Sequence, residues 1–295
     1  MTNKAAMITV CGRPNVGKST LTNTLVGEKI AIVSNKPQTT RNRICAVVTK
    51  GDTQFVFMDT PGFHKPRTRL GDYMVNVVRE SVADVDAVML LVEPLPNIGK
   101  QEQELIARFK ETGVPALLVI NKIDTVQRAE LLEVMAVYSA AYEFDAIIPI
   151  SAKTGEGVDE LLAELSKYAV DGPPLFPDDM ISDQPEKQIC AELVREKLLL
   201  CLDKEIPHGT AVEVTRFSER DDGIIDMDVT IYCEKASHKG IIIGKKGAML
   251  KKIGELARAD IEVFMGTKVF LQTWVKVKEN WRDSQAQLRN FGFTE

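Results

Sequence analysis

Aromatic residues, histidines and long hydrophobic runs are scarce in this 295-residue chain. Phe, Trp and Tyr make up 6% of it, and there are 3 histidines. A helix that crosses a membrane needs about 20 predominantly apolar residues, and no stretch approaches that length. The N-terminus, MTNKAAMITVCG, also lacks the basic segment followed by an apolar one that marks a secretory signal. The expected location is therefore the cytoplasm.

Paired cysteines are missing as well. The chain has 5 cysteines, an odd number, and none forms a Cys-x-x-Cys pair. Widely spaced cysteines of this kind form neither a disulfide framework nor a zinc site, so they are expected to be reduced and structural. They are Cys11, Cys45, Cys190, Cys201 and Cys233.

The length and the order of apolar segments predict two domains. Up to about residue 170, short apolar runs such as MITVCG, AVMLLVE and ALLVINK alternate with amphipathic segments. Runs that are apolar on both faces are typical of a largely parallel sheet covered by helices, an α/β fold. The segment DGPPLFPDDM then indicates a boundary. The sequence thus predicts a first domain over 1–171, a linker over 172–182 and a second domain over 183–295.

The second domain has a different pattern. PEKQICAELVREKLLLCLDKE has helical spacing, and two alternating strand patterns follow it, TAVEVTRFSE and IDMDVTIYCE, joined by a turn at Asp221, Asp222 and Gly223. A glycine-lysine stretch, a helix through about Ala259 and a last strand, KVFLQTWVKVK, complete it. The predicted order is helix, strand, strand, helix, helix, strand, which is a smaller α+β domain.

A phosphate-binding loop is the first chemical motif. GRPNVGKST, Gly12 to Thr20, follows the first predicted strand and opens a helix, which is the context that G-x-x-x-x-G-K-[ST] requires. Glycines let backbone N–H groups wrap phosphates, Lys18 neutralises phosphate charge, and the Ser19 hydroxyl binds Mg²⁺. The loop predicts a nucleotide site without choosing the base.

Three more motifs end successive predicted strands. NKID places Asp124 where its carboxylate can accept the N1–H and N2 hydrogens of guanine, a pair of donors that adenine lacks. DTPG supplies Asp59 for Mg²⁺ and the Gly62 N–H for the γ-phosphate, and SAKTGEG supplies Ser151 and Lys153 near the base. Each motif alone is also typical of a turn or a helix cap. In this order after the phosphate loop they predict a GTP site.

Together with a QTTR segment at Gln38–Arg41, these motifs resemble those of translation-factor-class GTPases, and the TTR form is similar to the Era group. The resemblance implies that Thr40, with Thr39 as second choice, coordinates Mg²⁺ beside Ser19 and Asp59, and that Lys18, Thr40, Asp59 and Gly62 carry hydrolysis. The GTP-binding residues implied are Gly12, Arg13, Pro14, Asn15, Val16, Gly17, Lys18, Ser19, Thr20, Asp59, Thr60, Pro61, Gly62, Asn121, Lys122, Asp124, Ser151, Ala152 and Lys153.

The resemblance also implies two switch segments, one around Thr40 and one from Asp59 through GFHKPRTRL. Phe63 stands where Ras-like enzymes have the glutamine that orients water, so we expect slow intrinsic hydrolysis. The resemblance further implies a K⁺ ion at Asn15; hydrogen bonding that stabilises the loop is the alternative role for this residue.

Positive charge is concentrated near the C-terminus. Residues 237–278 carry nine Lys or Arg and three acids, a net charge of +6 in a chain whose net charge is -5. Such asymmetry indicates a polyanionic partner, although a lysine run can also form a solvated helix face. GIIIGKKGAMLKK contains a G-x-x-G loop of the kind with which KH domains clamp single-stranded RNA. The expected RNA-binding residues are Gly240, Ile242, Ile243, Gly244, Lys245, Lys246, Gly247, Lys251 and Lys252, with Ile241 also on the core or the groove.

The element order resembles the type II KH arrangement, and its position behind an Era-type GTPase domain extends the resemblance to nearly the whole chain. The Era group implies binding to the 3′ end of small-subunit (16S) ribosomal RNA, a role in 30S subunit assembly, and peripheral association with the cytoplasmic face of the cell membrane. The expected oligomeric state is a monomer. Two alternatives stay open: an RNA-binding scaffold with structural GTP, and a related GTPase that acts on tRNA modification or protein partners.

Overall fold

The computed structural model describes residues 3–36, 38–62, 68–82 and 85–293. They form two compact units. The first contains most of the chain up to Asp183, and the second contains Gln184 onward together with Ile32–Thr39 and residues 68–73.

The first unit is built on a mostly parallel sheet. Its strand order is β2-β3-β1-β4-β5-β6; β2 runs antiparallel to β3, and β7 pairs antiparallel with β1. All of β3 and β4 is buried, as expected for strands covered on both faces. The strands are β1 (Lys4–Cys11), β2 (Ile44–Lys50), β3 (Thr53–Asp59), β4 (Ala87–Val92), β5 (Ala116–Ile120), β6 (Ala146–Pro149) and β7 (Val170–Asp171).

Helices connect these strands, as the alternating pattern predicted. Buried Leu90 and Leu118 of the sheet pack with Phe109 and Tyr138 of the helices in one core cluster. The carboxyl ends of β1, β3, β4, β5 and β6 each lead into a loop at one edge of the sheet, where an α/β fold binds ligands. The helices are α1 (Lys18–Val26), α2 (Arg69–Glu80), α3 (Lys100–Thr112), α4 (Arg128–Ala141) and α5 (Val158–Leu165).

The segment predicted as a linker is hydrogen-bonded to the first unit. The Phe176 backbone N–H donates to Gln54 Oε1, and Gln54 Nε2 donates to the Phe176 carbonyl, both at 2.9 Å. Further along the chain, the Val47 N–H donates to the Ile181 carbonyl, and Ser182 pairs with Ala46 in an antiparallel β-bridge. The proline-rich composition thus reflects an extended segment laid along β2 and β3, and the chain enters the second unit at Gln184.

The second unit has the predicted element order. Its sheet order is β10-β9-β8, with β8 antiparallel and β10 parallel to β9. The elements are α6 (Glu186–Cys201), β8 (Thr210–Glu219), β9 (Ile225–Cys233), α7 (Ala236–Ile243), α8 (Ala248–Met265), β10 (Val269–Val277) and α9 (Gln285–Asn290).

Two features of this unit differ from the prediction. Helix α8 continues past Ala259 to Met265, because buried Ile261 extends the four-residue spacing of buried Ile253 and Ala257. Helix α9 was not predicted. Among the described helices, none combines the length and the hydropathy that crossing a bilayer requires.

Candidate guanine-nucleotide and RNA sites

The phosphate loop folds around the Lys18 ammonium group. Lys18 is 6% exposed, and its Nζ donates to the carbonyl oxygens of Gly12 at 3.0 Å and of Arg13 at 2.9 Å. Burial lowers the pKa of Lys18, whereas the nearby Asp59 opposes that shift. The loop therefore holds a buried cation at the start of α1, where backbone N–H groups also favour an anion.

Three oxygen-bearing side chains meet beside Lys18. Ser19 Oγ lies 2.9 Å from Thr40 Oγ1 and donates to Asp59 Oδ2 at 2.8 Å. The other carboxylate oxygen of Asp59, Oδ1, is buried and has no hydrogen-bond partner among the described residues. Burial raises the pKa of Asp59 from 3.8 to about 6, although Lys18 and Ser19 act in the opposite direction. A hard cation with oxygen ligands fits this set, since it would compensate the buried carboxylate.

Of the two candidate threonines, Thr40 lies beside Ser19. The Thr39 hydroxyl instead lies 3.0 Å from Ser34 Oγ and donates to the Lys36 carbonyl at 2.6 Å. The threonine that was the first choice from the sequence is therefore the one that the geometry favours.

The NKID and SAK segments are joined to the phosphate loop through Asn121, which is 2% exposed. Its Nδ2 donates to the Val16 carbonyl at 2.8 Å, and its Oδ1 accepts from the Ala152 N–H at 2.9 Å. Gly17 has a φ of 102°, and a Cβ there would collide with the Asn121 amide. The second glycine of the loop is thus required by the approach of NKID as well as by backbone conformation.

The side chains expected near the base lie at the surface. Asp124 accepts from the Ser151 hydroxyl at 2.7 Å, and both Asp124 and Lys153 are exposed, whereas Ser151 is buried. Lys122 Nζ donates to the Asn15 carbonyl at 2.7 Å and to Glu93 Oε1 at 2.5 Å. The Asn15 backbone is thereby fixed from the NKID loop.

The DTPG segment packs against the phosphate loop. Thr60 Oγ1 donates to the Val10 carbonyl at 2.8 Å, and Gly62 lies against Pro14.

Phe63, whose apolar character led us to expect slow hydrolysis, lies outside the described residues, as do residues 64–67 of the second switch. The structure describes every residue that the sequence assigned to GTP binding. Residues 12–20 and 59–62 lie at or after the carboxyl ends of β1 and β3. The others lie after β5 and β6, and they are Asn121, Lys122, Asp124, Ser151, Ala152 and Lys153.

Two acidic residues contact the GTP motifs and were not predicted. Glu93, at the carboxyl end of β4, binds Lys122, and Glu102 on α3 forms an ion pair with Arg13. The position of Glu93 directly after a buried strand was a usable signal, because that edge of the sheet carries the other motifs. Nothing in the local sequence distinguishes Glu102 from other helix carboxylates.

The residues that directly precede Thr40 in the first switch belong by their contacts to the second unit. The Val33 N–H donates to Glu196 Oε1 at 2.9 Å, and Arg195 Nη2 donates to the Thr39 carbonyl. Arg195 and Glu196 are 1% and 2% exposed. A turn of α6 that carries buried charges therefore holds Ile32–Thr39, and the next residue along the chain is Thr40.

The G-x-x-G loop lies between α7 and α8, as predicted. Gly244 has a φ of 72°, and a Cβ there would lie 2.7 Å from Met249 Cβ, so the tight passage into α8 requires glycine. Lys245 and Lys246 are exposed, and the positive φ of Lys246, 53°, departs from helical geometry. Neither lysine forms an ion pair within the part of the chain that the structure describes.

The other expected RNA-binding residues divide into two groups. Gly240, Lys251 and Lys252 are exposed, and Lys251 has a 3.9 Å ion pair with Glu255. Ile242 is fully buried, so it belongs to the core and is unavailable to a ligand, contrary to its assignment from the sequence. Ile241, which is 50% exposed, and the partly buried Ile243 are the isoleucines that a ligand can reach.

Family models match both units. The model described as 50S ribosome-binding GTPase matches residues 7–122, and the model described as KH domain matches residues 205–282. The matches contain the phosphate loop and the G-x-x-G loop, respectively, and the two domain types are those predicted from the sequence.

Similar proteins and structures extend over nearly the whole chain. GTPase Era of Ruminiclostridium cellulolyticum is 53% identical, covering 99% of this chain and 98% of that protein; GTPase Era of Alkaliphilus metalliredigens is 50% identical, covering 99% and 100%.

Two solved structures are also similar at 36% identity and a TM-score of 0.94, and both cover 99% of this chain and 100% of theirs. One is a variant of Aquifex aeolicus Era bound to GDP·AlF4⁻, and the other is Era in complex with MgGDPNP and nucleotides 1506–1542 of 16S ribosomal RNA. Because the chain has both domain types, the GTP motifs in the expected order along the sequence and this degree of identity over nearly its whole length, it belongs to the Era family of GTPases.

Proposed function

We propose that this GTPase binds the 3′ end of small-subunit ribosomal RNA through its KH domain, and that GTP controls this binding during 30S subunit assembly. The observation that carries the proposal is the position of the first switch. Arg195 and Glu196 hold Ile32–Thr39, while Thr40 lies 2.9 Å from Ser19 at the end of the phosphate loop. A ligand that reorders Thr40 therefore acts on a segment whose contacts belong to the unit that carries the G-x-x-G loop.

The roles of the nucleotide residues follow from the site geometry. Lys18 would neutralise the β- and γ-phosphates, the Gly62 N–H would contact the γ-phosphate, and Asp124 would accept from guanine. Ser19, Thr40 and Asp59 would hold Mg²⁺, which when bound draws charge from the phosphate oxygens. The solved relative that contains MgGDPNP supports this assignment by its similarity.

A K⁺ ion beside Asn15 remains part of the proposal. Asn15 is exposed and has a φ of 67°, and its carbonyl accepts from Lys122. These three observations fit a residue that shapes the loop, and a role as cation ligand would add to that. Comparison of hydrolysis rates in sodium and in potassium buffers tests it: equal rates would exclude a specific K⁺ ligand.

The RNA assignment is supported by charge and by similarity. Lys245 and Lys246 are exposed and form no ion pair with any residue that the structure describes, so they can neutralise phosphates, and the glycines on either side allow close approach to an RNA backbone. One solved relative contains nucleotides 1506–1542 of 16S ribosomal RNA. The first family model is instead described by the 50S subunit, so binding to large-subunit RNA is the second candidate.

The test is fluorescence anisotropy with a short single-stranded RNA from the 3′ end of 16S ribosomal RNA, measured with GDP and with a non-hydrolysable GTP analogue. We expect tighter binding with the analogue. Equal binding in both states would favour the scaffold alternative, because a ligand without differential affinity shifts no equilibrium. An unrelated RNA and a large-subunit RNA of equal length serve as controls, and tighter binding of the latter would favour the second candidate.

A double variant, Lys245→Glu with Lys246→Glu, should abolish RNA binding and leave GTP affinity unchanged. The matched control changes two exposed lysines of the first unit in the same way, Lys110→Glu with Lys167→Glu, which alters the net charge equally. Normal RNA binding by the first double variant would overturn the assignment of the G-x-x-G loop.

We infer a monomer with domains at 1–171 and 183–295, and peripheral association with the membrane. Light scattering after size-exclusion chromatography tests the monomeric state, and sedimentation with anionic vesicles tests the association with the membrane.

A further inference from the structure

Glu102 is a completely buried carboxylate on the third residue of α3. It forms an ion pair with the Arg13 guanidinium, whose side chain is 27% exposed. An acidic residue in the first turn of a helix also interacts favourably with the helix dipole. The partner, Arg13, lies inside the phosphate loop, so the pair connects α3 directly to the nucleotide site.

The surroundings of this carboxylate are closely packed. A Cβ on Gly99 would lie 2.7 Å from Glu102 Oε2 and 3.9 Å from Arg13 Nη1, so the residue before α3 must leave this space empty. Tyr138 of α4 is fully buried nearby, and burial together with Glu102 raises the pKa of its hydroxyl to about 12, with Arg13 opposing. The Tyr138 hydroxyl has no hydrogen-bond partner among the described residues. Among the described residues, Arg13 is thus the cation that pairs with the buried Glu102.

The backbone of Arg13 has a second contact in the loop. Its carbonyl oxygen accepts from Lys18 Nζ at 2.9 Å, next to the contact of Lys18 with Gly12. The side chain of Arg13 is therefore held from α3 while its backbone helps to place the ammonium group that faces the phosphates. A buried carboxylate paired with one partner restricts that partner strongly, because separation would leave the charge uncompensated.

We propose that Glu102 is a positioning residue for the nucleotide site, which fixes the phosphate loop through Arg13. It touches neither nucleotide nor Mg²⁺ in this role. The proposal goes beyond RNA binding and its control by GTP, and it rests only on nucleotide binding at the phosphate loop.

The test compares Glu102→Gln, Arg13→Gln and the double variant by the dissociation constant of fluorescent GDP and by kcat and KM for GTP. Glu102→Gln keeps the shape of the side chain and removes its charge. We expect each single variant to weaken GDP binding and to raise KM about tenfold, and the double variant to be no worse than either single one, since the two residues act as a unit. Thermal unfolding of the nucleotide-free variants shows whether they fold.

The matched control is Glu104→Gln, the same chemical change at an exposed position of the same helix. It should bind GDP as the wild type does, and this result separates failure of the proposal from failure of the nucleotide site itself. Unchanged GDP affinity in folded Glu102→Gln would overturn the proposal. Penalties that multiply in the double variant would also overturn it, because a residue that acts only through global stability produces independent effects.

If Glu102→Gln does not fold, Arg13→Lys replaces it. This variant keeps the buried Glu102 paired, but a lysine cannot reproduce the planar geometry of the guanidinium. We expect folded protein with GDP affinity lowered about threefold to fivefold, a fraction of the loss on breaking a charged pair. GDP affinity equal to the wild type would overturn the proposal.

Discussion

The Asp124 carboxylate offers only acceptors to a bound base, and it accepts a hydrogen bond from the Ser151 hydroxyl at 2.7 Å. Guanine presents two donors at N1 and N2, whereas xanthine presents a donor at N1 and an acceptor at O2. The choice between guanine and xanthine therefore depends on the hydrogen-bonding atoms of this one side chain.

Asp124→Asn should change the preferred base. An amide supplies one acceptor and one donor, so GDP affinity should fall about 100-fold and xanthosine diphosphate should bind more tightly than GDP. Competition against a fluorescent nucleotide measures both affinities. Asp159→Asn, at an exposed position of α5, is the control; equal weakening of both nucleotides in Asp124→Asn would mean that Asp124 supports the fold instead of reading the base.

At this scale the sequence predicted the residues of the GTP motifs better than the residues that hold those motifs in place. Lys18, Ser19 and Asp59 stand in recognisable motifs, because their chemistry demands residue types at fixed spacing. Glu93 and Glu102 reach the same site from β4 and α3, and such contacts depend on tertiary packing that no local spacing encodes. The burial of Ile242 and the exposure of its neighbour Ile241 likewise depend on how α7 lies on the sheet.

At the scale of the elements, the segment after β10 contains only short helices, but it makes several contacts between aromatic rings. Trp281 is fully buried, its Nε1 donates to the Gly209 carbonyl at 3.0 Å, and its ring packs at 5.3 Å against Phe291 and at 6.2 Å against Phe293. Helix α9, with 6 residues, is too short to show a helical period in the sequence, so neither α9 nor the burial of Trp281 could be predicted.

Trp281→Ala should lower the free energy of unfolding of the second unit by about 4 kcal/mol, as for other large aromatic side chains removed from a core. The chain has 2 tryptophans, and Trp274→Ala is the control because Trp274 is 44% exposed on β10. We expect Trp274→Ala to lower the free energy of unfolding by less than about 0.5 kcal/mol. Urea unfolding followed by circular dichroism measures both, and similar losses would contradict the packing role of Trp281.

Helix α6 carries three consecutive buried charges, an arrangement that argues for a specific partner at each. Lys197 Nζ donates to Glu196 at 2.6 Å and to Asp260 on α8 at 2.5 Å. Burial lowers the pKa of Lys197, but the hydrogen bonds with Asp260 and Glu196 outweigh burial and raise it above the ordinary value of 10.5. The contribution of this lysine to stability is therefore complete below pH 10.5 and is lost as the pH rises through the raised value.

Lys197→Met should lower the free energy of unfolding by about 3 kcal/mol at neutral pH, because two carboxylates lose their shared cation. The variant should also lose stability less steeply than the wild type above pH 10.5. Lys187→Met, at an exposed position of α6, provides the comparison. Parallel stability curves for the wild type and Lys197→Met in alkaline buffer would contradict this account.

Over the whole molecule, charge is distributed unevenly. Residues 237–278 have a net charge of +6 in a chain of net charge -5, so the remainder is at -11. This distribution was visible in the sequence, because it is a property of composition alone. The grouping of Ile32–Thr39 with the second unit was not, since it depends on buried contacts made by α6 more than 150 residues away.

The logarithm of the RNA-binding constant should fall linearly with the logarithm of salt concentration, since counterions are released from each neutralised phosphate. For single strands each neutralised phosphate adds about 0.7 to the steepness of the slope, so Lys245→Gln should make the slope shallower by about that amount. Lys110→Gln should leave the slope unchanged. Anisotropy titrations from about 50 to about 200 mM potassium chloride measure this; an unchanged slope in Lys245→Gln would mean that this lysine binds no phosphate.

The pairing of β7 with β1 brings the segment that follows α5 beside the first strand of the sheet. Ala5 pairs with Val170, Lys4 with Asp171, and the Gly172 N–H donates to the Asn3 carbonyl at 2.9 Å. Residues 4–171 therefore form a part of the chain that starts and ends on neighbouring strands, and residues 172–183 then continue along β2 and β3. A short linker from residue 171 to residue 4 would close this part of the chain, so that new termini can be opened at a surface loop such as Gly51 or Gly113. The same part can equally be inserted into a loop of another protein without separating the ends of that loop.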